Sequence, residues 1–138
     1  MGIKQISVFL ENTTGRLSEV TKTIANAGIN LRAISIADTA DFGILRIIVD
    51  KTEAAVDALN TAGFTTRQTD VVAVEIEDVP GSLAKLMEVF QQSKVNIEYL
   101  YSSLEGLVGK AVVIFKLEDH SKALKILNDN NLKMTEIF

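Results

Sequence analysis

The chain repeats itself. Shifted by 66 residues, residues 6–49 lie over 72–115 without a gap, with identities at Val8/Val74, Glu11/Glu77, Gly15/Gly81, Leu17/Leu83, Asn30/Asn96, Gly43/Gly109 and Ile48/Ile114. The apolar pattern matches more fully than identity does. Leu17, Val20 and Ile24 stand over Leu83, Leu86 and Phe90, and Ile29, Leu31 and Ile34 over Val95, Ile97 and Leu100. Beyond Val49 a two-residue insertion restores the match, placing residues 58–60 over 126–128 and Phe64 over Leu132. A duplication decides the architecture, because the fold is whatever one copy makes, made twice. The expected domains are residues 1–70 and 71–138. With 47 % apolar residues in 138, the chain has core-forming material for one ordinary domain or two very small ones.

Each copy reads as strand, helix, strand, strand, helix, strand. In the first, residues 5–11 alternate Ile6, Val8 and Leu10 inward, the two-residue period of a half-buried strand. Leu17, Val20, Ile24 and Ala27 recur at helical spacing, and Gly28 suits the left-handed position after a helix. Residues 31–38 and 42–49 are strands around a turn at 39–41. Thr52 stands where it can cap a second helix ended by Gly63, and residues 64–70 form the last strand. In the second copy, strands are expected over 72–77, 96–104, 109–117 and 132–138, with helices over 81–93 and 121–130. Glu105 and Gly106 are expected in the turn, and Asn131 in the left-handed role of Gly63. The order βαββαβ is the split ferredoxin-like unit. The expected class is α+β: two tandem ferredoxin-like βαββαβ units, antiparallel sheets with helices on one face. Residues 70–72 leave only a short join between the copies.

The turn entering the first helix of each copy is the most distinctive local feature: Asn12, Thr13, Thr14, Gly15, Arg16, Leu17 and Asp78, Val79, Pro80, Gly81, Ser82, Leu83. Taken alone it reads as a helix cap, with Asn or Asp accepting from free N–H groups, Pro80 near the first helical position and Leu in the core. It also reads as a ligand mouth. Glycine lets a guest approach the backbone, and a helix N-terminus favours a carboxylate.

The βαββαβ order, the Asn/Asp-x-x-Gly-x-Leu turn and the Ala-Gly-Ile-Asn-Leu string at 27–31, echoed as Ser-Lys-Val-Asn-Ile at 93–97, together resemble the ACT domain family, as two tandem copies over nearly the whole chain. Residues 38–49 are similar to the second hairpin of small stand-alone tandem ACT proteins. The resemblance implies a small-molecule sensor, mostly of amino acids, that is attached to or acts on a metabolic enzyme. It implies a ligand where two ACT units meet. Carried over, it places the site on Asn12, Thr13, Thr14, Gly15, Arg16, Leu17, Ile29, Asn30 and Leu31. In the second copy the matching positions are Asp78, Val79, Pro80, Gly81, Ser82, Leu83, Val95, Asn96 and Ile97. The first copy departs from the common Asp-x-Pro-Gly form at Asn12 and Thr14.

Charge favours the first copy. All four arginines, Arg16, Arg32, Arg46 and Arg67, lie there, and all seven basic residues of the second copy are lysines. Asn12 in place of Asp removes a repulsion from a ligand carboxylate, Arg16 adds a planar donor, and Thr13 and Thr14 add hydroxyls. Each arginine singly reads equally as a solvated surface group. Asp38, Phe42 and Gly43 are second-rank contacts, with Asp38 and Asp41 able to meet an ammonium or, less naturally, a metal ion; two aspartates in a turn are first of all turn formers. Gly43 and Gly109, coincident across the copies, mark a bulge or a close approach.

Other functions are poorly supplied. There are no cysteines, and one histidine, His120, in a predicted cap region, cannot carry a catalytic relay or a multi-histidine metal site. No cofactor and no metal are expected. An enzyme of the acylphosphatase type is the alternative, resting on Arg16 beside Gly15. Nucleic-acid binding is disfavoured by a net charge of −4 and a pI near 5.0, and by Ile, Val and Leu where sheet-surface RNA binders need aromatics. Tyr99 and Tyr101 share one strand face by the two-residue period. No apolar run approaches the length of a membrane span and no targeting segment is visible, so a soluble cytoplasmic protein is expected, as a homodimer joined through sheet edges.

Overall fold

The alternation of Ile6, Val8 and Leu10 appears as a nine-residue strand, and the rest of the chain follows in the order the repeat predicts. The computed structural model describes residues 2–38, 41–104, 106 and 108–136. They form β1 (Ile3–Glu11), α1 (Arg16–Asn26), β2 (Leu31–Asp38), β3 (Phe42–Val49), α2 (Thr52–Thr61), β4 (Thr65–Glu77), α3 (Ser82–Gln92), β5 (Ile97–Ser102), β6 (Lys110–Leu117) and α4 (His120–Asp129). The expected turn residues Thr39, Ala40 and Glu105, and the strand end at 137–138, lie outside the described residues. The chain divides into two units, residues 4–69 and residues 70–136, with Gly2 and Ile3 grouped with the second.

In the first unit the strand order is β2-β3-β1, both pairings antiparallel. The register sets Leu10 opposite Gly43, and Gly43 opposite Asp38. Ile6, Val8 and Leu10 of β1 and Leu45, Ile47 and Val49 of β3 present one face of the sheet to Val20 and Ile24 of α1 and Ala55 and Leu59 of α2; Ile29 and Phe64 complete this core. Each such valine, leucine, isoleucine or phenylalanine side chain, when fully withdrawn from water, contributes roughly 1.5–3 kcal/mol. Leu17 keeps its place on the apolar stripe of α1 but is 41 % exposed, because it lies past the buried part of the stripe. Ala27 is the exposed C-cap, not core.

The second unit repeats the plan with the order β4-β6-β5 and a core of Val72, Val74, Leu86, Phe90, Val113, Phe115 and Leu127. Phe90 and Phe115 meet edge to face at 5.3 Å. Residues 132–136 run against β4 through one bridge, Val74 to Met134, flanked by Glu75 N–H to Lys133 O and Thr135 N–H to Ala73 O, both 2.9 Å. Tyr99 and Tyr101 stack at 6.5 Å.

Three expectations are corrected. The two strands predicted over 64–70 and 72–77 are one strand, β4, since Thr65–Glu77 contains no glycine or proline and is dense in Thr and Val. Thr52 does not cap α2; Lys51 holds the N-cap position and Thr52 is the first helical residue. His120, read as an exposed cap-region residue, does start α4, which is capped by Asp119 accepting from Lys122 N–H at 3.0 Å, but its imidazole is half-buried against Gly2.

The strands also correct the repeat. Val72 pairs with Phe115 where Ile6 pairs with Ile47, so β6 stands over β3 at a shift of 68, not 66. The two extra residues lie in the β5–β6 connection and not after Val49. The structural counterpart of Gly43 is Ala111, and that of Asp41 is Gly109.

All four helices end alike. The residue after the C-cap has positive φ: Gly28 at 71°, Gly63 at 91°, Lys94 at 56° and Asn131 at 54°. The following N–H closes back onto the helix, Ile29 to Ile24 O, Phe64 to Leu59 O, Val95 to Phe90 O and Leu132 to Leu127 O, at 2.9 to 3.2 Å. This is the Schellman arrangement, and it delivers an apolar residue to each core edge. Lys94 occupies a conformation that costs an L-residue roughly 1–2 kcal/mol. Lys94→Gly should therefore raise stability by about 0.5–1 kcal/mol after the greater freedom of the unfolded glycine is subtracted, measured by urea unfolding. Phe90→Ala, by contrast, should lower it by about 3–5 kcal/mol in the same measurement.

Candidate functional site

The turns that enter α1 and α3 are the same backbone. Gly15 has φ 91° and ψ −14°, Gly81 φ 91° and ψ −12°, and each is the helix N-cap. Only glycine takes that conformation without strain. The cap position thus carries no side-chain acceptor, which departs from the capping expectation. The turn is pinned from outside the helix: Asn12 N–H donates to Asp41 O and Asp78 N–H to Gly109 O, both at 2.9 Å. These acceptors are equivalent at the shift of 68.

In the first unit this turn overhangs a cleft of about 290 Å³ lined by Leu10, Glu11, Asn12, Thr13, Arg16, Leu17, Ile36, Asp38 and Gly43. Its construction follows from strand register. Leu10, Gly43 and Asp38 lie opposite one another across three strands, so they share a face of the sheet, and Ile36 shares it by the two-residue period. The middle member of that row has no side chain. A depression is left over Gly43, with Leu10 on one side and Asp38 on the other. Arg16 and Leu17, in the first turn of α1, also line it.

Arg16 is held in place by its own unit. Its Nη1 donates to Glu19 Oε2 at 2.6 Å, and its guanidinium lies over the Phe64 ring, 4.8 Å from the centroid. Its Nε is buried and has no hydrogen-bond partner among the described residues. A guanidinium has five donors, so the contact with Glu19 leaves capacity for a second carboxylate. Among the described residues neither Asp38 nor Glu11 is in an ion pair. The cleft thus joins a fixed cation and two carboxylates to an apolar bed of Leu10, Leu17 and Ile36.

The cleft brings together Asn12, Thr13, Arg16, Leu17, Asp38 and Gly43 of the predicted residues. Thr14 and Gly15 complete the turn without lining it, and Phe42, 62 % exposed, is not among the lining residues. Ile29, Asn30 and Leu31 lie past the far end of α1. Ile29 is in the core, and Asn30 N–H donates to the Asp50 carboxylate at 3.0 Å. Leu10, Glu11 and Ile36 were not among the predicted residues; the register of β1 and β2 against Gly43 is the signal that finds them. Glu19, three residues from Arg16 on a helix, was legible as a partner by spacing alone.

The second unit keeps the backbone and changes the chemistry. Ser82 stands for Arg16, Ser102 for Ile36, Leu104 for Asp38 and Ala111 for Gly43. Glu77, the counterpart of Glu11, is bridged by Lys110 across β4 and β6, and that hydrogen bond, aided by the charges of Glu77 and Glu75, holds the ammonium above the ordinary lysine range. Pro80, Gly81 and Leu83 form the turn, with Leu83 39 % exposed. Asn96 instead lines a separate open cavity of about 480 Å³, with Lys94, Val95 and residues 118–122, at the other end of α3. Among the described residues no cluster of three or more His, Asp or Glu is placed to hold a metal ion, and no helix is long and apolar enough to cross a membrane.

The model for the ACT domain pair matches residues 1–137. The chain is similar to the crystal structure of protein BT0572 from Bacteroides thetaiotaomicron, at 40 % identity and a TM-score of 0.92, covering 98 % of this chain and 92 % of that one. It shares its fold with the ligand-free regulatory subunit of aspartate kinase from Thermus thermophilus, at 21 % identity and TM-score 0.68, covering 91 % of each chain. The regulatory subunit of aspartate kinase from Thermus flavus matches at 20 % identity and TM-score 0.63, covering 91 % of this chain and 90 % of that one. No curated protein matches the sequence.

Arg16→Ala removes the contact over Phe64 and the ion pair with Glu19. It should lower the stability of the unliganded protein by about 1 kcal/mol, and Glu19→Gln by no more than about 0.5 kcal/mol, both read from denaturant midpoints.

Proposed function

The chain belongs to the ACT domain pair family, and on that premise we propose that it is a non-catalytic regulatory protein that binds a free amino acid in the cleft of its first unit. One observation carries the reading: a fixed guanidinium and two carboxylates that enter no ion pair among the described residues line the same small cleft. A zwitterion needs both. Arg16 takes the α-carboxylate, as a planar multiple donor suited to it. Asp38, beside Gly43, takes the α-ammonium, and Asn12 and Thr13 add polar contacts from the turn.

Leu17 and Ile36, 41 % and 52 % exposed, leave apolar surface at the cleft that an ACT unit of a second chain would cover, so the working form is a homodimer. The likeness in fold to regulatory subunits of aspartate kinase supports a metabolic enzyme as the partner acted upon. The absence of cysteines suits a reducing cytoplasm. Hydrolysis of an acyl phosphate is the less favoured reading, because Asp38 and Glu11 would repel a phosphoryl group.

Thermal unfolding in the presence of each standard amino acid tests the reading. The cognate amino acid at about 100 times its Kd should stabilise the folded state by about 2.7 kcal/mol, a rise in Tm of the order of 10 °C, and Arg16→Ala should abolish the rise. If none of the twenty raises Tm at millimolar concentration, the proposal fails.

A further inference from the structure

We infer that the amino acid taken by this cleft has an aliphatic side chain, seated over Gly43 between Leu17 and Ile36. The inference rests on the amino-acid reading above and adds to it the chemistry of the side chain.

The first observation is the character of Gly43. Its φ is not in the left-handed region, so the backbone does not require glycine. A Cβ built there would meet Ile36 Cδ1 at 3.5 Å, Ile36 Cγ1 at 3.6 Å and Ala37 O at 3.8 Å, all ordinary contacts. A glycine inside a strand weakens it. At this position what the missing side chain supplies is room, opening onto Ile36. The second unit holds Ala111 at the equivalent register, opposite Ile76 as Gly43 is opposite Leu10. The same strand therefore accommodates a methyl group in one unit and leaves it out in the other, in the unit that also carries Arg16, Asp38 and Ile36.

The second observation is the distribution of polarity. Arg16 and Asp38 match the two charged ends of an amino acid, and Glu11 adds a second carboxylate beside them. Beyond them the lining offers an apolar bed of Leu10, Leu17 and Ile36, with Asn12 and Thr13 on the turn. A polar side chain laid on the bed between Leu17 and Ile36 would lose water and gain no partner from those residues. An acidic one would meet Asp38 and Glu11. At about 290 Å³ the cleft sits at the lower edge of the roughly 300–1,000 Å³ typical of small-molecule sites, which suits a compact side chain.

The test is calorimetric titration of the full chain with valine, leucine, isoleucine, alanine, serine, aspartate and lysine. At least one of valine, leucine and isoleucine should bind at least about 10-fold more tightly than serine, aspartate or lysine, the discrimination that one or two buried methylene groups provide. Gly43→Ala should weaken the best aliphatic ligand by about 10-fold or more and alanine by less than about 3-fold, and Ile36→Ser should weaken the aliphatic ligand similarly. Unliganded melting curves close to the parent's show that both variants fold, as an ordinary contact at Gly43 and an exposed Ile36 predict. If serine, aspartate or lysine binds as tightly as the aliphatic three, or Gly43→Ala leaves them unaffected, the inference is overturned and the amino-acid reading stands. If no amino acid binds, the reading beneath it falls as well.

Discussion

The register of β3 against its two neighbours governs the first unit. It puts Leu45, Ile47 and Val49 on the face that α1 and α2 cover, beside Ile6, Val8 and Leu10. The same register sets Gly43 between Leu10 and Asp38. A slip of one residue would turn the apolar set outward and carry the glycine to the other face. Core and cleft are thus two ends of one pattern: filled where β3 carries branched side chains, open where it carries none. The first turn of α1 then has an unfilled row beneath it, and Arg16 and Leu17 face that space instead of packing into a closed interior.

The two units show how one backbone supports different chemistry. Gly15 and Gly81 have the same left-handed geometry, the turns they enter are pinned by equivalent carbonyls, and all four helices end in the same motif. These features answer to backbone sterics and to unsatisfied N–H and C=O groups, which are the same whatever the side chains do. At the cleft, seven of the nine lining positions differ, among them Arg16, Ile36, Asp38 and Gly43 against Ser82, Ser102, Leu104 and Ala111. Glu77 is further engaged by Lys110, where Glu11 faces Phe42 across the ladder. The scaffold is held in common, and the set of Arg16, Asp38 and Gly43 belongs to the first unit.

Much of the fold was legible. Periods of two and of 3.6 located the strands and helices, and Gly28, Gly63 and Asn131 marked helix ends. Lys94 was missed, because a lysine gives no sign that it sits at φ 56°; only the closing N–H of Val95 onto Phe90 reveals it. The gapless match of residues 42–49 over 108–115 was wrong by two residues for a definite reason. A shift of two keeps every strand residue on its own face, so an alternating apolar pattern fits either register equally well. The apparent pairing of Gly43 with Gly109 was a product of that ambiguity. Gly109 is a left-handed turn residue before β6, while Gly43 is a strand residue with space above it. The candidate site was half legible: the turn and Arg16 stood out as a motif, whereas Leu10, Glu11 and Ile36 had no motif to announce them.

By itself the sequence determined the duplication, the order of elements, the apolar faces and the position of the glycines that the turns need, because each of these is a local consequence of side-chain shape, polarity and backbone freedom. Only the tertiary structure decided which residues from separate strands stand opposite one another. The ladder between β1 and β3 joins residues more than thirty positions apart, and the apolar alternation that selects a face is indifferent to steps of two. The cleft, made of one missing side chain among neighbours supplied by three strands and a helix, exists only once that choice has been made.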